Sequence, residues 1–191
     1  MTIKLIGLVG NNAPFSYNRL LLRYMKERYQ NINVRLTVQE ITEIPLFSEQ
    51  LLETVPEVVK QLAADIKQAD GLIIATPEYD HAIPASLKST LEWLSCYGNA
   101  LTTKPVMIVG TSLGVQGTSR AQDNLRQILN SPGINAFVLP GYEFLLGLAK
   151  EKFDSEGQLT DQATLSFLDE CFKHFQQFVL DNQRNLIAVR E

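Results

Sequence analysis

Cysteine and histidine are scarce in this chain of 191 residues, with two of each. Cys96 and Cys171 lie far apart, form no Cys-x-x-Cys pair and have no histidine at ligand spacing. That excludes a disulfide framework and a zinc site, and it fits two reduced thiols in a cytoplasmic protein. No apolar stretch approaches the roughly 18 residues of a membrane span. The N-terminal apolar run ends at Gly10 and lacks the length and cleavage site of a signal peptide. Positive charge is also short: 17 basic residues face 21 acidic ones, for a net charge of -4. Such a surface repels phosphate backbones and anionic lipid, so neither nucleic acid nor a membrane is expected as a partner. Several phosphate-binding signatures are missing as well. No Gly-Lys-Ser/Thr follows the first glycines, and Gly7, Gly10 and Ala13 have the wrong spacing for a dinucleotide fingerprint. Gly10-Asn11-Asn12 lacks the acidic pair with which a receiver domain holds magnesium. No nucleophilic triad is evident, and no catalytic side chain or metal ligand is nominated.

What is present is an alternation of strand and helix patterns. With 45% hydrophobic and 20% charged residues the chain has the composition of one globular domain. Ile3 to Val9 reads as a buried strand, and Tyr17 to Tyr29 as a helix capped by Ser16. Asn33 to Ile41 alternates with period two. Thr42 to Thr54 is irregular or weakly helical, and Pro56 opens the next helix. Gly71 to Ala75 is almost continuously apolar, as in a parallel strand covered on both faces. A helix follows Pro84, then a strand over Val106 to Val109, a helix over Ser119 to Leu129 and a fifth strand over Asn135 to Leu139. The longest helix spans Asp161 to Leu180, with Phe172 and Phe175 on its apolar stripe. Residues 1–180 form the domain, and 181–191, with Leu186-Ile187-Ala188-Val189, a C-terminal tail. Five strands separated by helices predict a single doubly wound α/β domain.

Ligands of such sheets bind beyond the carboxyl ends of the strands, at the point where strand order reverses. Three loops leave those ends. The first, Gly10–Asn18, offers Ser16 and Asn18 beside the free N–H groups of a helix start, a place that favours a phosphate, and Arg19 adds charge. An ordinary helix cap is the alternative. In the second, Thr76–Pro84, the prolines stiffen a backbone that can meet the edge of a flat heterocycle, with Tyr79 as an aromatic wall. A capped turn with Tyr79 half buried is the alternative. In the third, Gly110–Arg120, Gly110, Gly114 and Gly117 allow close approach to a ligand and a mobile lid, or serve a flexible surface connection.

The residues resemble the NADPH-dependent FMN reductase family of flavodoxin-like proteins, with its chromate, quinone and azo-dye reductases. The resemblance spans about residues 3 to 180. It is carried by Thr76-Pro77-Glu78-Tyr79-Asp80-His81-Ala82-Ile83-Pro84-Ala85-Ser86-Leu87-Lys88 and by Gly117-Thr118-Ser119-Arg120-Ala121-Gln122 with Leu125-Arg126-Gln127. In the first loop it rests on Gly10, Ser16 and Asn18 alone. Asn11 stands where the family has serine, Ala13 where it has arginine, and Asp80 where it has asparagine.

The resemblance implies a three-layer flavodoxin-like sheet of five parallel strands in the order 2-1-3-4-5, with FMN bound non-covalently. Ser16 and Asn18 would hold the phosphate, with Asn11 and Arg19 beside them. Pro77, Glu78, Tyr79 and Asp80 would line the flavin ring on one side, and Thr111, Ser112 and Gly114 on the other. The implied reaction takes a hydride from NADH or NADPH and passes electrons to a quinone, azo, flavin or metal-oxyanion acceptor. Since the flavin carries the chemistry, no side chain need act as a nucleophile. A homodimer or dimer of dimers is implied, with Trp93 at the interface. A non-catalytic FMN-binding or redox-sensing protein is the alternative from another class. His81 is either a proton donor or an ordinary loop histidine, and Glu78 and Asp80 are read as a charged rim.

Overall fold

The apolar runs of the sequence become parallel strands because each is covered on both faces. In the computed structural model, which describes residues 2–30 and 32–188 and side chains through Arg184, all residues of β3 (Gly71–Ala75) and β4 (Pro105–Thr111) are buried. They lie beside β1 (Ile3–Val9) and β2 (Val34–Gln39) in one parallel sheet. The alternating pattern of β2 marks it as the edge strand: Val34 and Leu36 are buried, while Arg35 and Thr37 face outward.

Helices α1 (Tyr17–Tyr29), α2 (Glu57–Gln68), α3 (Ala85–Cys96) and α4 (Ser119–Leu129) alternate with the strands. A 3-10 turn at Glu49–Thr54 occupies part of the weakly patterned segment. The sheet divides the core in two. On one side Leu21, Leu22 and Met25 of α1 pack with Leu168, Phe172 and Phe175 of the last helix. On the other, Leu62, Ile66, Leu87, Leu91 and Leu125 come from α2, α3 and α4. Each such side chain contributes about 1.5–3 kcal/mol on burial. Tyr29 and Phe172 stack with centroids 3.7 Å apart, which ties α1 to the last helix.

The strand order is β2-β1-β3-β4-β5, as expected, but the fifth position is filled by two pieces. β5 (Phe137–Val138) pairs with Pro105 and Val106, and β6 (Phe144–Leu146) pairs with Val109 to Thr111. The single strand expected over Asn135 to Leu139 is therefore short and later resumed. Pro140 has no N–H for the ladder and Gly141 turns at φ 76°, so pairing stops there. A short helix, α5 (Ala149–Lys152), precedes α6 (Gln162–Ala188). α6 runs on past Leu180. Val189 lies outside the described residues, and so do the side chains of 185–188.

Trp93 is not at an interface. It is fully buried, its indole N–H donates to the Pro45 carbonyl at 2.8 Å, and Phe47 meets it edge-on. It fastens the segment before α2 to α3 within one chain.

Candidate functional site

The first strand–helix junction positions its polar groups through α1. Ser16 caps that helix in extended conformation, its hydroxyl accepting from the Arg19 N–H at 3.3 Å. The N–H groups of Tyr17 and Asn18 belong to the first turn and have no intrahelical acceptor. Asn18 is buried, and its side-chain amide copies a strand neighbour. Nδ2 donates to the Thr111 carbonyl at 2.9 Å, and Oδ1 accepts from the Thr111 N–H at 3.0 Å. This double bond to β4 sets the start of α1 against the third loop.

Around that junction the three loops enclose a cavity of 810 Å³, within the ordinary range for a cofactor or small ligand. Asn11, Ser16, Asn18, Pro77, Glu78, Tyr79, Thr111, Ser112 and Gly114, nominated from the sequence, all line it. Arg19 and Asp80 do not. Two of the lining residues carry a buried polar atom with no partner, Asn11 Oδ1 and Thr111 Oγ1. Asn11 is only 3% exposed, and its Nδ2 reaches the Tyr79 hydroxyl at a long 3.5 Å.

Arg19 turns the other way. It grips Glu40 through two bonds, at 2.6 and 2.9 Å, and donates to the carbonyls of Ala13 and Pro14. The Glu40 hydrogen bond raises its pKa above the ordinary arginine value. Its work is to hold the first loop closed against β2.

In the second loop, Tyr79 and Ala82 exchange backbone bonds of 3.0 Å, which makes Asp80 and His81 the tip of a tight turn. Both have positive φ, 48° and 65°, as a type I′ turn demands. The tip is exposed, so neither side chain joins the cavity wall. Glu78 is also not a free rim charge. Its carboxylate accepts from the N–H groups of Arg120 and Ala121, at 3.0 and 3.1 Å, and so caps α4 from outside. The second loop is thereby fixed to the start of α4.

The third loop spends most of its glycines on packing. A Cβ on Gly110 would overlap the Thr118 hydroxyl and the Thr76 carbonyl. Gly117, at φ 63°, lies against the Leu145 backbone. Gly114 alone has open space beside it, with the Ser112 hydroxyl 3.9 Å from the position of an added Cβ. Gln122 is a strut, donating to the Thr118 hydroxyl and the Phe144 carbonyl. His174 stays away from the site, stacked on Tyr142.

Residues 3–151 match the profile of the NADPH-dependent FMN reductase family. The chain belongs to that family. As a member it is an FMN-dependent NAD(P)H oxidoreductase. It is 50% identical over 173 residues to a protein of Vibrio ruber named "NADH:(hydroxy)cinnamate reductase subunit CrdA", covering 91% of this chain and 85% of that one. It is 46% identical to "NADH-dependent flavin reductase subunit 2" of Lactobacillus johnsonii, covering 95% of this chain and all of the relative. The quinone reductase of Escherichia coli shares 34% over 93% of this chain and 95% of its own. Among solved structures, the flavoenzyme NAD(P)H:(acceptor) oxidoreductase FerB of Paracoccus denitrificans superposes with a TM-score of 0.85. At 24% identity, with 95% and 99% of the two chains covered, it shows the same flavodoxin-like fold.

The residues of this reductase fit FMN. The cavity lies at the N-terminus of α1, where N–H groups and the helix dipole favour an anion. Its lining of hydroxyl and amide side chains suits a polar ligand, and its volume suits a flavin nucleotide. Reading the loops in the sequence passed over part of the wall. Phe15, Leu113 and Val115 stand exposed at the mouth by 64, 64 and 77%. Large apolar residues inside turn-rich loops are the signal that marked them. Lys150, on α5, also lines the cavity and carried no local signal.

Proposed function

We propose that this cavity is the FMN site, and that through it the enzyme passes reducing equivalents from NADH or NADPH to a quinone or flavin acceptor. One observation carries the reading. Residues of three separate loops, Ser16 and Asn18, Pro77 to Tyr79, and Thr111 to Gly114, line one cavity at the N-terminus of α1, where free N–H groups and the helix dipole favour an anion. When bound, FMN supplies the acceptance of hydride from reduced nicotinamide and its delivery to the acceptor.

The chain binds and orients. The Ser16 hydroxyl and the first-turn N–H groups of α1 take the phosphate, with Asn18 holding them in place. Pro77, Glu78 and Tyr79 border one side of the ring, and Thr111, Ser112 and Gly114 the other. Glu78 keeps the two walls in register through α4. Phe15, Leu113 and Val115 exclude water at the mouth. Asp80 and His81 lie off the wall, so protons come from solvent. The same reading includes a homodimer in the cytoplasm, with a second copy covering the apolar mouth. The exposed Phe15, Leu113 and Val115 support the second copy, and among the described residues no helix is long and apolar enough to cross a membrane.

Titration with FMN tests the site: saturable fluorescence quenching is expected, and its absence removes the proposal. Anaerobic mixing of the loaded protein with NADH or NADPH should bleach the flavin, and a spectrum that stays yellow with both leaves only a binder. Steady-state rates should be highest with quinone or flavin, above azo dye and chromate. Light scattering during size exclusion checks the dimer.

A further inference from the structure

The first loop brings no cation into the cavity. Arg19 is the single basic residue between Gly10 and Arg19, and its donors are committed to Glu40, Ala13 and Pro14. A phosphate at the start of α1 then meets N–H groups and a hydroxyl, and no full positive charge from that loop.

A cation arrives from much later in the chain. α5 is anchored to the third loop by two backbone bonds of 3.0 Å, Leu148 N–H to the Gly114 carbonyl and Ala149 N–H to the Ser112 carbonyl. Leu148 bends the chain there in the left-handed region, at φ 53°. α5 also packs beside the start of α1. The Phe153 ring lies 5.6 Å from that of Tyr17, and Ala149 and Phe153 share a core with Leu21 and Leu22. Lys150, in this short helix, lines the cavity together with Ser16, Tyr17 and Asn18. Its neighbour Lys152 is paired with Asp161 at 2.7 Å, whereas Lys150 has no carboxylate partner among the described residues. The other cation on the wall, Arg120, belongs to α4 on the opposite face of the sheet and stands 3.8 Å from Glu78.

We propose that Lys150 is the charge partner of the FMN phosphate in this protein, taking the place of a first-loop cation. The proposal rests on the FMN reading above. A flexible, exposed ammonium near a dianion forms a charge-assisted contact worth about tenfold in affinity, and it does nothing for a flavin without phosphate.

The experiment compares FMN with riboflavin. Flavin-free protein is titrated with each by fluorescence, at low and at physiological salt, for wild type and for Lys150→Ala, Lys150→Arg and Arg120→Ala. We expect Lys150→Ala to weaken FMN about tenfold and riboflavin less than about twofold. Lys150→Arg should restore most of the FMN affinity, and Arg120→Ala should keep the wild-type ratio of the two ligands. Added salt should narrow the gap between FMN and riboflavin in wild type more than in Lys150→Ala. An unchanged FMN affinity in Lys150→Ala, or an equal loss for both flavins, overturns the role of Lys150 and leaves the FMN site standing. Wild-type protein that binds neither flavin overturns the site and the role together.

Discussion

The two ends of the sheet treat their polar groups differently. At the amino end Asp70 accepts from the Lys4 N–H and from the Gln183 amide, both at 2.7 Å. Lys104 donates to the carbonyls of Ala69 and Lys67. At the carboxyl end, among equally buried strands, Asn11 Oδ1 and Thr111 Oγ1 have no protein partner. A buried polar atom left unpaired costs about 1–3 kcal/mol. The amino end thus contributes stability, and the carboxyl end gives some up in residues that line the cavity.

The largest effect belongs to Asn18→Ala. Although Asn18 is at the carboxyl end, it is fully paired with Thr111, so it belongs with the stabilising groups. Its loss should cost about 3 kcal/mol in denaturant unfolding, because two backbone groups of Thr111 lose their partners. Next comes Asp70→Ala at the amino end, expected to cost about 1–2 kcal/mol by the same measurement, without changing FMN affinity.

Asn11→Leu is the direct probe of the difference. It removes an amide whose oxygen has no partner and whose Nδ2 makes only the long 3.5 Å contact to Tyr79, so the flavin-free protein should keep its stability to within about 0.5 kcal/mol, while FMN affinity falls. A loss of stability in Asn11→Leu larger than in Asp70→Ala would break the distinction between the two ends.

The smallest effect concerns pH. Burial lowers the pKa of Lys104, with Asp70 opposing it. Between that lowered value and the ordinary 10.5 the unfolded chain binds more protons than the folded one, so stability rises with pH there. Wild type should therefore gain on Lys104→Met as the pH climbs toward 10.5, read from paired unfolding curves. A parallel pair of curves would mean that the amino end tolerates its buried ammonium without cost.

Much of this was legible in the residues. The unbroken apolar run Gly71–Ala75 announced a strand covered twice, and Ser16 marked the start of α1 to the residue. Those features are local, governed by patterns over a few positions. The interruption of the fifth strand was also written locally, in Pro140-Gly141, yet that β6 would rejoin beside Val109 depends on where β4 ends. Trp93 was misplaced because the carbonyl that claims its indole belongs to Pro45, far back in the chain. Glu78 and Arg19 gave the same difficulty: a charge in a loop has many possible partners, and only the packed chain selects α4 for one and Glu40 for the other.

The linear order of apolar and punctuating residues was enough for the alternating α/β layers and the side of the sheet on which a ligand belongs, since those follow from periodicity and chain handedness, while the strand order came from the family resemblance. Which polar atoms are satisfied, and which are left unpaired beside the cavity, was settled only when distant segments met. Hydrogen bonds and ion pairs depend on distances of a few ångströms between residues that sequence spacing alone does not relate.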